Sequence, residues 1–232
     1  MNKTRLNIAD DKDIREGTPM NLLFLGDSIT DSDHCFTPDN LGNGYVKMIS
    51  DSLKDLIPQP HIVNRGTDGF TVSDVYRAWQ RYPMKEAADM VSILVGINDA
   101  GVWMNCGYSG LQCRHALQEF TAVYTDLVCD ILDYGIPRLI LMEPFLFPIP
   151  ERYKLWQPTL NRISQGISDI AARYSLPFLP LQPLFDAEGA KAGYDTLTTD
   201  GIHLTQRGNR ILADAWIKAI PDIWANRVNN RM

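Results

Sequence analysis

A serine, a histidine and an aspartate form a hydrolytic unit when the histidine can take the serine's proton and the aspartate can orient the histidine. This chain offers Ser28 within Gly26-Asp27-Ser28, and Asp200 and His203 within Asp200-Gly201-Ile202-His203. A serine hydroxyl is a weak nucleophile at its own pKa, so Ser28 needs a base. Of the histidines His34, His61, His115 and His203, His203 is the best candidate. The carboxylate three residues before it is reachable within one turn, where it would fix the tautomer and stabilise the imidazolium formed in proton transfer. Each motif alone has a plainer reading: serine is a favoured helix N-cap, and an Asp-x-x-His can be a simple ion pair in a loop.

Attack on a carbonyl also requires donors aimed at the oxygen on which charge develops. The candidates are the backbone N–H of Ser28, that of Gly69 in Asn64-Arg65-Gly66-Thr67-Asp68-Gly69, and the side-chain amide of Asn98 in Gly96-Ile97-Asn98-Asp99. Taken singly, both glycine-containing segments read as turns.

These residues need a scaffold that brings distant segments to one edge. Five short apolar runs, Asn21–Asp27, His61–Gly66, Met90–Gly96, Arg138–Pro144 and Phe178–Pro183, have strand length. Between them lie stretches with apolar residues at helical spacing, such as Phe120, Val123, Leu127 and Ile131, or Leu160, Ile163, Ile167 and Ile170. Alternation of strand and helix predicts an α/β fold: a three-layer α/β/α sandwich around a five-stranded, mainly parallel sheet. In such sheets ligands collect at the carboxyl ends of the strands. Ser28, Gly69 and Asn98 each follow one of the first three runs. A last helix from about Thr205 to Ala219, with Ile211, Leu212, Ala215 and Trp216 on one stripe, is expected to pack on the sheet and fix the His203 loop.

The bulk properties exclude several classes of function. The 232 residues are 45% hydrophobic and 22% charged, ordinary for a globular protein. We read residues 1–20 as an N-terminal extension and 21–232 as a single domain. A net charge of −6 opposes a nucleic-acid partner. No apolar stretch approaches the roughly 20 residues of a membrane span, and the N-terminus lacks the apolar middle of a secretory signal, so a cytoplasmic location is expected. Cys35, Cys106, Cys113 and Cys129 are scattered without a C-x-x-C pair, which suggests reduced thiols and no metal. No glycine-rich phosphate-binding motif follows a strand, so no cofactor is expected.

In order and placement, GDS after the first strand, N-x-G-x-x-G after the second, G-x-N-D after the third and D-x-x-H before the last helix resemble the four blocks of the SGNH hydrolases, also called GDSL esterases and lipases. The blocks span Gly26 to His203, most of the chain. The resemblance implies a flavodoxin-like fold, Ser28 as nucleophile, His203 as base, Asp200 as its orienter, and Ser28, Gly69 and Asn98 as oxyanion donors. Gly66 fits the register of the oxyanion glycine less well than Gly69, and Asn64 is expected to anchor that loop. The G-x-S-x-G elbow of α/β-hydrolases is absent, since Thr30 occupies its second glycine position.

Ile29-Thr30-Asp31, Gly42-Asn43-Gly44-Tyr45-Val46 and Thr71-Val72-Ser73-Asp74-Val75 are similar to segments of bacterial intracellular acetylxylan esterases. That similarity implies a small ester substrate, an acetylated saccharide such as a xylo-oligosaccharide, and a homo-oligomer. A lysophospholipase or acyl-thioesterase would use the same machinery, and a catalytically silent sugar-binding module would keep only the fold. Tyr45, Phe70, Trp79, Trp103 and Trp156 are candidates for the acyl or sugar pocket, for the core or for a subunit interface. Met142–Pro150, rich in proline and aromatics, could form a wall at the active-site edge or an oligomer contact.

Overall fold

The computed structural model describes residues 19–56, 58–82, 88–136 and 138–220. Most of the extension anticipated over residues 1–20, and the chain beyond 220, lie outside the described residues. The strands are β1 (Asn21–Gly26), β2 (His61–Gly66), β3 (Met90–Leu94), β4 (Leu139–Met142) and β5 (Phe178–Leu179). The helices are α1 (Ser28–Asp31), α2 (Tyr45–Leu53), α3 (Val72–Arg81), α4 (Ile97–Asn105), α5 (Gly110–Asp133), α6 (Gln157–Tyr174), α7 (Gln182–Ala192) and α8 (Gln206–Ala219).

All four strand pairings are parallel, in the order β2-β1-β3-β4-β5. Helices α2 and α8 pack together on one face, while α3, α5 and α6 pack in series on the other, giving the anticipated three layers. Every residue of β3 is buried, which explains its unbroken apolarity: a strand covered on both faces has no solvent side. Its one polar member, Ser92, accepts a 2.9 Å hydrogen bond from Trp216 Nε1. That bond fastens α8 to the middle of the sheet.

The strands are shorter than most of the apolar runs that announced them. The fifth run contracts to Phe178–Leu179, because Pro180 has no N–H to extend the ladder. The helical stripes fall inward: Leu160, Ile163, Ile167 and Ile170 are each at most 1% exposed, as are Leu127, Ile131, Leu212 and Trp216. From β1 the chain crosses to β2 on one side and later returns to β3 on the other. The reversal opens a crevice at the carboxyl ends of these strands, and Ser28 stands there. No helix among the described residues is long and apolar enough to cross a membrane.

Candidate active site

Strand β1 ends at Gly26, and α1 begins two residues later as a single turn. Its cap is Asp27, not Ser28: Asp27 Oδ1 accepts the Ile29 N–H at 3.1 Å. The serine is thereby left at the first helical position, where its own N–H has no intrahelical acceptor. Its side chain is also available for chemistry.

The hydroxyl of Ser28 lies 2.9 Å from His203 Nε2, and His203 Nδ1 lies 2.7 Å from Asp200 Oδ2. The second carboxylate oxygen of Asp200 accepts the backbone N–H groups of Ile202 and His203, at 2.9 and 2.8 Å. The turn that carries the histidine is therefore wound around the carboxylate that orients it. Partial burial pulls the Asp200 carboxyl upward, but the His203 side chain and these two N–H groups outweigh it and hold the group below the ordinary carboxylate value. Phe147 N–H donates to the Gly201 carbonyl at 2.9 Å, and Phe145, Leu146 and Phe147 are buried. The aromatic stretch after β4 thus buttresses the Asp200–His203 loop from within the core.

The structure separates the two glycines of the second block. A side chain on Gly66 would place its Cβ 2.1 Å from the Asp31 nitrogen, so β2 can approach α1 only with glycine there. The Gly66 N–H is already given to Asn64 Oδ1 at 2.9 Å. Asn64 itself is buried and donates to the Thr30 and Leu41 carbonyls at 2.7 and 3.0 Å, holding the loop to α1 as anticipated. Gly69 is exposed, has φ +74°, and would meet nothing with an added Cβ. Asn98 Nδ2 donates to the Phe70 carbonyl at 3.0 Å, which orients the amide and ties the third block to the second. Ser28, His203 and Asp200 form one chain of hydrogen bonds; among the described residues, neither Gly69 nor Asn98 bonds to any of them.

Two buried carboxylates lie beneath the site. Burial pushes Asp27 up to about 7, with the Ile29 N–H opposing and Asp99 adding to the rise. Asp27 Oδ2 has no hydrogen-bond partner among the described residues. Burial likewise pushes Asp99 up to about 7 against the Val72 N–H, which it accepts at 3.1 Å.

Ser28 and His203 open into a cleft of about 360 Å³ lined also by Ile29, Asp31, Ser32, Asp33, Asp68, Leu204 and Asn209. Larger cavities exist, about 700 Å³ between α4 and α5 and about 470 Å³ at the β2 edge. Neither contains Ser28, and the chemistry rather than the volume locates the site. Tyr45, Trp79 and Trp103 are buried in the core, whereas Phe70 and Trp156 are partly buried. The acidic residues of the cleft were not singled out from the sequence. Asp31-Ser32-Asp33-His34 repeats the Asp-x-x-His spacing, a signal that could have drawn attention to them. No group of three or more His, Cys, Asp or Glu side chains among the described residues could hold a metal ion.

Comparison with known proteins yields one coherent picture. Residues 24–211 match the model of the GDSL-like lipase/acylhydrolase family. An acetylxylan esterase of Geobacillus stearothermophilus is 31% identical over 218 residues, covering 90% of this chain and 97% of that protein. An isoamyl acetate-hydrolyzing esterase of Saccharomyces cerevisiae is 25% identical, with 85% and 84% covered. A crystal structure of a catalytic mutant of the Geobacillus enzyme superposes with a TM-score of 0.77 at 27% identity, covering 88% of this chain and 95% of the other. A putative GDSL-like lipase from Parabacteroides merdae gives 0.78 at 25% identity, with 88% and 96% covered.

Proposed function

This chain belongs to the GDSL-like lipase/acylhydrolase family, and from that premise we propose that it is a serine esterase that removes acetyl groups from carbohydrates such as xylo-oligosaccharides. Its membership and its relatives make it a carboxylic ester hydrolase. The observation that carries the serine mechanism is the continuous relay from Ser28 Oγ through the His203 ring to Asp200, with links of 2.9 and 2.7 Å.

In this reading Ser28 Oγ attacks the ester carbonyl while His203 Nε2 takes its proton and Asp200 stabilises the imidazolium. Charge on the carbonyl oxygen is met by the N–H groups of Ser28 and Gly69 and by the Asn98 amide. The imidazolium then protonates the departing alcohol, leaving an acetyl-enzyme. Water, deprotonated by His203, releases acetate and restores the serine. The base must be neutral, so the rate falls in acid.

The cleft beside Ser28 and His203 includes neither Gly69 nor Asn98, and only Ile29 and Leu204 among its lining residues are apolar. It is not the extended apolar groove that a long acyl chain needs, which favours a short one. The relative whose name specifies acetylxylan supports the carbohydrate. The reading also takes the protein to be a cytoplasmic oligomer, with four free thiols consistent with a reducing compartment; a monomer mass by light scattering would remove the oligomer.

The deciding experiment is acetate release from peracetylated xylobiose by the wild type and by Ser28→Ala. Release that vanishes in the variant is expected. Inert behaviour toward this substrate with rapid cleavage of octanoyl nitrophenyl esters would replace it with the lysophospholipase or thioesterase reading.

A further inference from the structure

Hydrolysis needs a nucleophile, a base and oxyanion donors; it does not need an acidic cleft. Yet Asp31, Asp33 and Asp68 line the cleft that holds Ser28 and His203, and neither lysine nor arginine does. Asp31 is engaged within the fold. Its Oδ1 meets His34 Nδ1 at 2.6 Å, and its Oδ2 accepts the Asp68 backbone N–H at 3.0 Å. The second bond pins the loop ahead of Gly69 to α1, which keeps the Asp68 side chain at the mouth of the site. Asp33 and Asp68 are exposed. No ion pair among the described residues involves either of them.

Unneutralised charges of one sign in a concave site focus their field on whatever enters. Resting on the esterase reading above, we propose that Asp33 and Asp68, with Asp31 holding the loop of the latter in place, restrict the site to acetyl esters of neutral or cationic alcohols and reject esters that carry an anionic group beside the scissile bond. The reaction itself fits this polarity. A neutral ester and water become an alcohol, a proton and an acetate anion, so the cleft admits the substrate without penalty and repels the acidic product. Sugars bearing uronic acids near the acetyl group would be poor substrates, and amino sugars good ones.

Two matched pairs of probes separate charge from shape. Acetylcholine and 3,3-dimethylbutyl acetate have the same outline with and without a cation, and 4-acetoxybenzoate and 4-acetoxybenzamide differ by an anion. At low ionic strength kcat/KM is expected to favour acetylcholine over its neutral isostere, and the benzamide over the benzoate, by about 5–20-fold each. Both ratios should shrink to about 2 or less in 0.5 M salt, where the screening length is only a few ångströms. The double variant Asp33→Asn, Asp68→Asn should lower both ratios at low salt. Ratios near one at low salt, in protein that hydrolyses the neutral esters, would overturn the selectivity and leave the esterase reading intact. Folded protein that cleaves none of the four esters would overturn the esterase reading, and the selectivity with it.

Discussion

The molecule contains two Asp-x-x-His units with nearly the same internal geometry. In one, Asp31 meets His34 at 2.6 Å; in the other, Asp200 meets His203 at 2.7 Å. In both, Nδ1 faces the carboxylate and Nε2 faces a side chain that can lose a proton: Cys35 Sγ at 3.4 Å in the first, Ser28 Oγ at 2.9 Å in the second. They differ in surroundings. The first pair is mostly buried, with side chains 11% and 19% exposed, and its aspartate also holds the Asp68 N–H. The second is half open to solvent, at 46% and 49%, and its serine begins a helical turn at the carboxyl end of β1. The contrast teaches that a His–Asp pair is a general fastening, and that its exposure, more than what faces the other ring nitrogen, separates a pair poised for chemistry from one that only holds a loop.

The largest effect that would break this comparison comes from exchanging the two histidines for alanine. His203→Ala is expected to lower kcat by about 10⁴-fold or more. His34→Ala should keep kcat within about tenfold and lose about 1–3 kcal/mol of stability, the usual result of deleting a buried charge-assisted bond. Activity that vanishes in His34→Ala with an unchanged melting curve would reverse the assignment.

The next effect sharpens the part played by the neighbouring loops. Asn98→Ala should cost roughly 10²–10³-fold in kcat with little change in KM, as expected of a donor used only in the transition state. A rise in KM alone would make Asn98 a binding residue.

A smaller effect concerns the buried acids below Ser28. The Asp99 carboxyl titrates near 4 when unfolded and at about 7 when folded. Between these values the folded state keeps a proton that the unfolded chain has lost. The stability contributed by this group is therefore complete below pH 4 and is lost as pH rises through 7. The melting temperature of Asp99→Asn relative to wild type should accordingly rise between pH 5 and pH 8. A constant difference would mean that the folded carboxyl is not held protonated. The smallest expected effect is that of Cys35→Ala, which should leave acetate release within about twofold; a hundredfold loss would put the Cys35–His34–Asp31 unit into the chemistry.

Much of the architecture was legible because it rests on pattern. Five apolar runs separated by helical periodicities, the first three followed in turn by Ser28, Gly69 and Asn98, prescribe a parallel sheet with its polar residues on one edge. The strand lengths were less legible, since Pro180 and neighbouring loop contacts end pairing where hydrophobicity continues. The residues of the candidate site were readable as types at spacings, and their reach was not. Spacing equips Asp31–His34 as well as Asp200–His203, and only packing places Ser28 against the second pair. Nor does sequence say that Asp27 takes the cap beside Ser28, or that Gly66 is filled from behind by α1 while Gly69 stands open. Such differences depend on what the rest of the chain places a few ångströms away.

The bond between Ser28 and His203 joins residues 175 positions apart, and this has a consequence for synthesis. At about 5–20 residues per second, Ser28, the proposed nucleophile, is added to the chain roughly 9–35 s before His203, its proposed base. The His203 loop must then wait for α8 to dock through Trp216 onto Ser92. Chains that end before His203 accordingly lack the relay, and on the esterase reading they lack hydrolytic power with it.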